Sequence, residues 1–267
     1  MTDHRKIKVE NCVAPVTRSF LRRGASALYR LFARKKAGIS HLWLPPRDAQ
    51  SITPPSEIAD LFYGHAGRPI NKSTHYLGLY ERYFSRFRNT PVRMLEIGVF
   101  EGGSLELWRK YLGSAATIYG IDINPACASK FEAPNQVRIG SQADPQFLRT
   151  VVEEMGGVDL ILDDGSHRGN HIITSFRTLF PLLSDGGVYA IEDMHDDYSE
   201  WPGTRRNQSL SFIKRLIDDM HGNFTGLPAQ ESDAIGGVHI FDSIAFIEKK
   251  VQRATGNTVV PSSGREG

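Results

Sequence analysis

From residue 93 to residue 191 the chain alternates short β-rich runs with segments whose apolar residues recur at helical spacing. Arg93–Gly98, Thr117–Ile121, Gln136–Ile139, Val158–Leu162 and Gly187–Ile191 read as strands, and Ser104–Tyr111, Asn124–Phe131, Pro145–Met155 and Gly169–Leu183 as the helices between them. Strands joined through helices must run parallel, because a hairpin turn can only reverse direction, and the crossover helices then cover both faces of the sheet. The pattern therefore predicts an α/β fold with a doubly wound, mostly parallel sheet. After Trp201-Pro202-Gly203 a helix is expected at about Asn207–His221. Val238–Phe241 and Ile244–Glu248 then finish the sheet as an antiparallel C-terminal pair, giving seven strands. Upstream, Ser56–Arg88 is helical in pattern. Its residues Tyr76, Leu79, Tyr80, Tyr83, Phe84 and Phe87 fall at intervals of three and four, so most of these aromatics belong to the core, and Pro91 stops the run.

With 267 residues, 40% of them hydrophobic, the chain can bury a sizeable core. The expected organisation is a basic N-terminal extension at 1–55, a helical cap segment at 56–90, the α/β domain at 91–251 and a disordered tail at 252–267, where Gly, Ser, Thr and charge dominate. The formal net charge of +2 hides an asymmetry. Residues 1–50 hold eleven Lys or Arg against three acids, and the remainder holds 21 against 27. Within the basic arm, Val16–Lys36 places Phe20, Leu21, Ala25, Leu28, Tyr29, Leu31 and Phe32 among arginines as an amphipathic helix. Such a helix either packs on the body or on a second subunit as a homo-oligomer contact, or docks on an anionic membrane surface; nucleic acid is not expected as a partner. Two cysteines in no metal-binding spacing give no disulfide framework, and neither a transmembrane run nor a secretory signal is present. The expected location is the cytoplasm, with peripheral contact at the inner membrane face as the alternative.

Two acidic clusters end neighbouring strand runs: Asp163-Asp164-Gly165-Ser166-His167 and Glu192-Asp193. The carboxyl ends of strands in an open α/β sheet line the crevice where such folds bind ligands, so the clusters should converge despite the 28 positions between Asp164 and Glu192. Asp164, Glu192 and Asp193 then offer the hard oxygen ligands that suit Mg²⁺. His167, with an ordinary pKa of roughly 6.5, is the candidate general base beside them, or else a helix cap. At the first strand, Glu96 and Gly98 lead through Phe100 and Gly102-Gly103 to Ser104, a glycine turn opening a helix, where exposed N–H groups favour an anionic group. Phe100 stands where a dinucleotide fingerprint has its middle glycine, and no Walker lysine follows. Asp122 closes the second strand, either to accept ribose hydroxyls or to cap the next helix.

Four segments, Leu95–Ser104, Tyr119–Asn124, Asp163–His167 and Gly187–His195, in this order resemble class I S-adenosylmethionine-dependent methyltransferases. More narrowly they are similar to the macrolide-sugar O-methyltransferases of the mycinamicin and tylosin type, with cephalosporin-hydroxylase-like proteins as relatives. The resemblance covers about residues 70–250 and implies a Rossmann-like fold, S-adenosylmethionine and Mg²⁺ as cofactors, and methyl transfer to a sugar hydroxyl of a glycoside, glycolipid or secondary metabolite. It also implies that Glu96 and Gly98 line the methionine end of the cofactor, that Asp122 binds its ribose, and that Ser141 and Gln142 lie near adenine, although Ser141 stands where the family tends to have Asp; Ser104, opening the helix after the glycine turn, is expected to bind the cofactor as well. By the same resemblance His167 is the base; within the acidic clusters Asp163 is expected to face the cofactor, and Tyr76 reads either as a cap over the cofactor or as core. A cephalosporin-hydroxylase-like or non-catalytic Rossmann-like protein working with a partner is the alternative.

Overall fold

The computed structural model describes Gln50 and residues 53–130, 136–198, 208–226 and 228–251. The chain divides into two units, Met1–Ser51 and Ile52–Gly267, and the second contains the whole sheet. The expected arm helix at 16–36, the tail at 252–267 and Trp201 lie outside the described residues. Among those described, no helix is long and apolar enough to cross a membrane.

In chain order the elements are α1 (Glu57–Tyr63), α2 (Tyr76–Phe84), β1 (Arg93–Ile97), α3 (Gly103–Leu112), β2 (Thr117–Asp122), β3 (Gln136–Ile139), α4 (Pro145–Met155), β4 (Val158–Asp163), α5 (Gly169–Leu179), β5 (Leu183–Ile191), α6 (Gln208–Met220), α7 (Gly222–Thr225), β6 (Ile235–Phe241) and β7 (Ile244–Lys249). The strands form one sheet in the order β3-β2-β1-β4-β5-β7-β6. β1 to β5 pair in parallel, and β7 lies antiparallel to both β5 and β6, so the fold is Rossmann-like and doubly wound as expected. Strand order reverses between β1 and β4, which opens the ligand crevice of such sheets at their carboxyl ends.

Period-two alternation sends neighbouring residues to opposite faces. Leu95, Ile97, Ile161 and Tyr189 pack with apolar residues of α4, α5 and α6 on one face. Met94, Leu160, Leu162, Val188 and Ala190 pack with those of α1, α2 and α3 on the other. Local chemistry sets the element ends. Asp144 caps α4 by accepting from Gln146 N–H and Phe147 N–H, Pro145 follows at the first turn, and Gly156 in the left-handed region ends the helix.

Three stretches differ from the sequence expectation. Asn124–Phe131 is not an α-helix: a 3-10 turn spans Pro125–Lys130, because Asp122 Oδ1 accepts from Asn124 N–H and Asn124 Oδ1 from Ala126 N–H, tightening the chain. The helix after β4 stops at Leu179, where Pro181 in a 3-10 turn cannot supply an N–H, and β5 begins earlier, at Leu183. The helical pattern over 56–88 is broken by residues 64–75, which form a strap between α1 and α2. A Cβ added to Gly103, at the start of α3, would lie 2.3 Å from Arg68 O, so only glycine lets the strap pass this close.

Candidate active site

The register of the central strands builds the site. Ile97 pairs with Asp163, and Asp163 with Ile191. One step further, Asp164 N–H donates to Ile97 O and Glu192 N–H donates to Asp163 O, each at 2.9 Å. Glu96, Asp164 and Glu192 thus come side by side on the face that carries α1, α2 and α3, while Asp163, one residue out of phase, points to the opposite face.

Lys72 of the strap enters the space between these three carboxylates. Its Nζ donates to Asp164 Oδ2 at 2.5 Å and to both Glu192 oxygens at 3.0 Å, and lies 3.8 Å from Glu96 Oε1. The Tyr80 hydroxyl donates to Glu192 Oε1 at 2.5 Å. Burial pulls the Lys72 ammonium toward losing its proton, but Asp164, Glu192 and Glu96 together outweigh it and raise its pKa. Glu96 is pushed up to about 7, by burial first and then by the Asp164 charge, against the opposing pull of Lys72. Glu192 is raised as well, again by burial and then by Asp164. A single ammonium leaves three carboxylates with excess negative charge, which a further cation would offset.

On the solvent side of the same cluster, His167 Nε2 lies 3.9 Å from Asp164 Oδ1 and 3.9 Å from Asp193 Oδ2. One ligand atom from each of Asp164, His167 and Asp193 falls within 4.8 Å of the others, so the two carboxylates offer oxygen donors that suit a divalent cation with the imidazole close beside them. His167 and Asp193 both hold positive φ, 54° and 53°, a conformation that non-glycine residues adopt at a cost of about 1–3 kcal/mol and that clusters at functional sites. Tyr76 fixes Asp193: its hydroxyl donates to Asp193 Oδ1 at 2.9 Å and to Ser243 O at 3.1 Å. The ring is 1% exposed, so Tyr76 is core by its body and a brace of the acidic cluster by its hydroxyl.

The remaining expected residues separate into those at the crevice and those beneath it. Glu96 is fully buried and accepts from Ser104 Oγ at 2.8 Å and from Trp108 Nε1 at 3.3 Å. Gly98, at φ +95°, packs against the β4 loop: a Cβ there would sit 2.1 Å from Asp164 O. Asp122 is half-buried, and its oxygens accept from Val99, Phe100 and Asn124 N–H groups. Burial opposes its ionisation, yet these bonds hold the carboxyl below the usual range. Ser141 Oγ accepts from Ala143 N–H and shapes the turn after β3. Gln142 Nε2 donates to Asp163 Oδ1 at 3.0 Å while its Oε1 accepts from Ser166 N–H at 2.7 Å, so it clamps the β4 loop from below. Asp163 does not open onto the crevice: it is 2% exposed, and Ser175 and Tyr189 both donate to its Oδ2.

Lys72, Tyr80, Trp108 and Ser243 are the site residues that sequence reasoning does not single out. Tyr80 and Trp108 read as apolar core by their spacing, which they also are, and nothing local distinguishes Lys72 from a surface lysine. Ser243 carries the only weak signal: it sits in the turn between two β-rich runs, where φ of 64° lets its hydroxyl meet His195 Nδ1.

Residues 95–194 match a family described as a methyltransferase domain. The chain is 36% identical over 200 residues to 8-demethyl-8-alpha-L-rhamnosyl tetracenomycin-C 2'-O-methyltransferase of Streptomyces olivaceus, covering 68% of this chain and 52% of that protein. It is 35% identical to mycinamicin VI 2''-O-methyltransferase of Micromonospora griseorubida, covering 64% of this chain and 47% of the relative. Among solved structures, the methyltransferase MycE of the mycinamycin pathway, in complex with Mg, SAH and mycinamycin VI, superposes with a TM-score of 0.65 at 32% identity, over 80% of this chain and 57% of that one. The chain thus spans about half the length of the curated relatives it matches.

Proposed function

This chain carries a methyltransferase domain similar to those of sugar O-methyltransferases, and from that premise we propose that it is a Mg²⁺-assisted, S-adenosylmethionine-dependent O-methyltransferase acting on a sugar hydroxyl of a glycoside, glycolipid or secondary metabolite. The observation that carries this reading is the position of Asp164, whose Oδ2 belongs to the Glu96–Lys72–Glu192 cluster while its Oδ1 faces His167 and Asp193. A methyl-donor pocket and an acceptor pocket thereby share one carboxylate.

In the donor half, Glu96 is the acceptor for the methionine ammonium, held in orientation by Ser104 and Trp108. Asp122 stands at the end of β2, where it meets ribose hydroxyls, and the glycine turn before α3 brings backbone close to the ligand. In the acceptor half, Asp164, Glu192 and Asp193 are the acids that hold Mg²⁺. When bound, the ion lowers the pKa of vicinal sugar hydroxyls and fixes their direction. His167 would take the acceptor hydroxyl's proton on Nε2, leaving the oxygen free to accept the methyl group that S-adenosylmethionine would supply. Tyr76 holds Asp193, and the clamp from Gln142 to Ser166 holds the loop that carries His167, so the base is positioned before the acceptor arrives.

Isothermal titration of the chain with S-adenosylmethionine, with and without Mg²⁺, tests the proposal. Binding is expected in at least one condition, together with transfer of labelled methyl to a glycoside; no heat of binding in either condition refutes it.

A further inference from the structure

The methyl-transfer reading leaves Lys72 without a task. It rides on the strap 64–75, which is anchored on both sides: Arg68 N–H donates to Glu106 Oε2 at 3.1 Å and His75 Nε2 bonds Asp242 O at 2.9 Å. The side chain is 2% exposed, and its Nζ donates to three carboxylate oxygens of residues just past the ends of β4 and β5, at 2.5, 3.0 and 3.0 Å. Burying an ammonium together with the Glu192 carboxylate is costly even when they are paired, so a lysine with no role beyond packing is poorly explained here. Its location is that of a cation held between Asp164 and Glu192.

Those two acids belong to the set proposed above for a divalent ion, and the inference rests on that reading. Glu192 has both oxygens bonded to Lys72, and Asp164 shares its two oxygens between Lys72 on one side and the His167–Asp193 pair on the other. An ammonium and a divalent cation on the same carboxylates repel each other. We infer that Lys72 is a tethered counter-ion, which holds Asp164 and Glu192 together in the metal-free protein and which a divalent cation displaces from between them. The four-carbon stem gives the ammonium the freedom to move without shifting the strap. Lys72 is thus a positioning residue that keeps the acids assembled before the ion arrives.

The test compares the wild-type chain with Lys72→Met and Lys72→Gln by calorimetric titration of Mg²⁺ and by thermal melts in chelator and in excess Mg²⁺. With no tethered cation to compete, both variants are expected to bind Mg²⁺ at least about tenfold more tightly than wild type. Their metal-free melting temperature should fall below that of wild type, and the rise produced by Mg²⁺ should be larger. Variants that melt cooperatively only when Mg²⁺ is present also support the inference, because the ion then replaces the missing ammonium. Equal or weaker Mg²⁺ affinity in folded variants overturns it. So do variants that stay unfolded in excess Mg²⁺, since the ammonium would then be irreplaceable by the ion, and so does an absence of Mg²⁺ binding in all three proteins. Failure of wild type to bind S-adenosylmethionine would remove the proposed activity and leave these comparisons of Mg²⁺ affinity readable.

Discussion

Glu96→Gln should make the protein's stability less sensitive to pH between mildly acidic and mildly alkaline solution. Glu96 is fully buried in the donor half, and its carboxyl is raised from 4.5 to about 7, chiefly by burial and by the neighbouring Asp164. The folded state therefore holds this proton more tightly than the unfolded state does. The associated stability is complete below the unfolded value of 4.5 and is lost as pH rises through the folded value near 7. At about 1.4 kcal/mol per pKa unit the loss from this group amounts to ~3 kcal/mol. Glutamine keeps the shape and retains an oxygen for Trp108 or Ser104, but has no proton to lose. Urea denaturation of metal-free wild type and variant at about pH 5 and about pH 8 provides the measurement. Other titrating groups, the raised Glu192 among them, contribute to both proteins, so the difference between the two pH dependences reports on Glu96. The variant is expected to gain ~3 kcal/mol relative to wild type on going from the acidic to the alkaline condition; parallel profiles would refute the reasoning.

Three further substitutions probe the scaffold and the base. Gly98→Ala forces a side chain into the left-handed region, at about 1–2 kcal/mol, and drives its Cβ against Asp164 O, so urea denaturation should show a loss of at least ~2 kcal/mol and calorimetry a weaker affinity for Mg²⁺. Asp163→Asn replaces a buried acceptor of three side-chain hydrogen bonds by an amide that cannot satisfy all of them; a loss of ~3 kcal/mol is expected, and a near-neutral effect would contradict the buried network described here. His167→Ala should slow turnover by ~10²–10⁴-fold while leaving S-adenosylmethionine affinity nearly unchanged, and a variant as fast as the parent in a methyl-transfer assay removes His167 as base.

The sequence by itself determined the sheet. Runs of apolar β-formers separated by helical spacing imply a parallel, doubly wound sheet, and β1 to β5 lie close to where the pattern put them, although the strand order came only from the structure and the β2–β3 connection holds a 3-10 turn in place of the expected helix. It also brought Asp164 beside Glu192, since strand-end residues in a parallel sheet must share one edge. The assignment of neighbouring acids was less legible. Asp163 and Asp164 are adjacent in sequence and alike in chemistry, yet the strand pleat buries one beneath the sheet and sends the other to the crevice, a choice fixed only by the pairing of Ile97 with Asp163 and by which helices cover each face. Tertiary structure alone decided the partner of these acids. Lys72 reaches them across 92 and 120 positions of chain, and the contact arises because a strap with no regular structure is pressed onto the start of α3. Long-range charge pairing of that kind leaves no periodic trace in a sequence, since the energy comes from burial in a site that exists only once the sheet and the helices have closed around it.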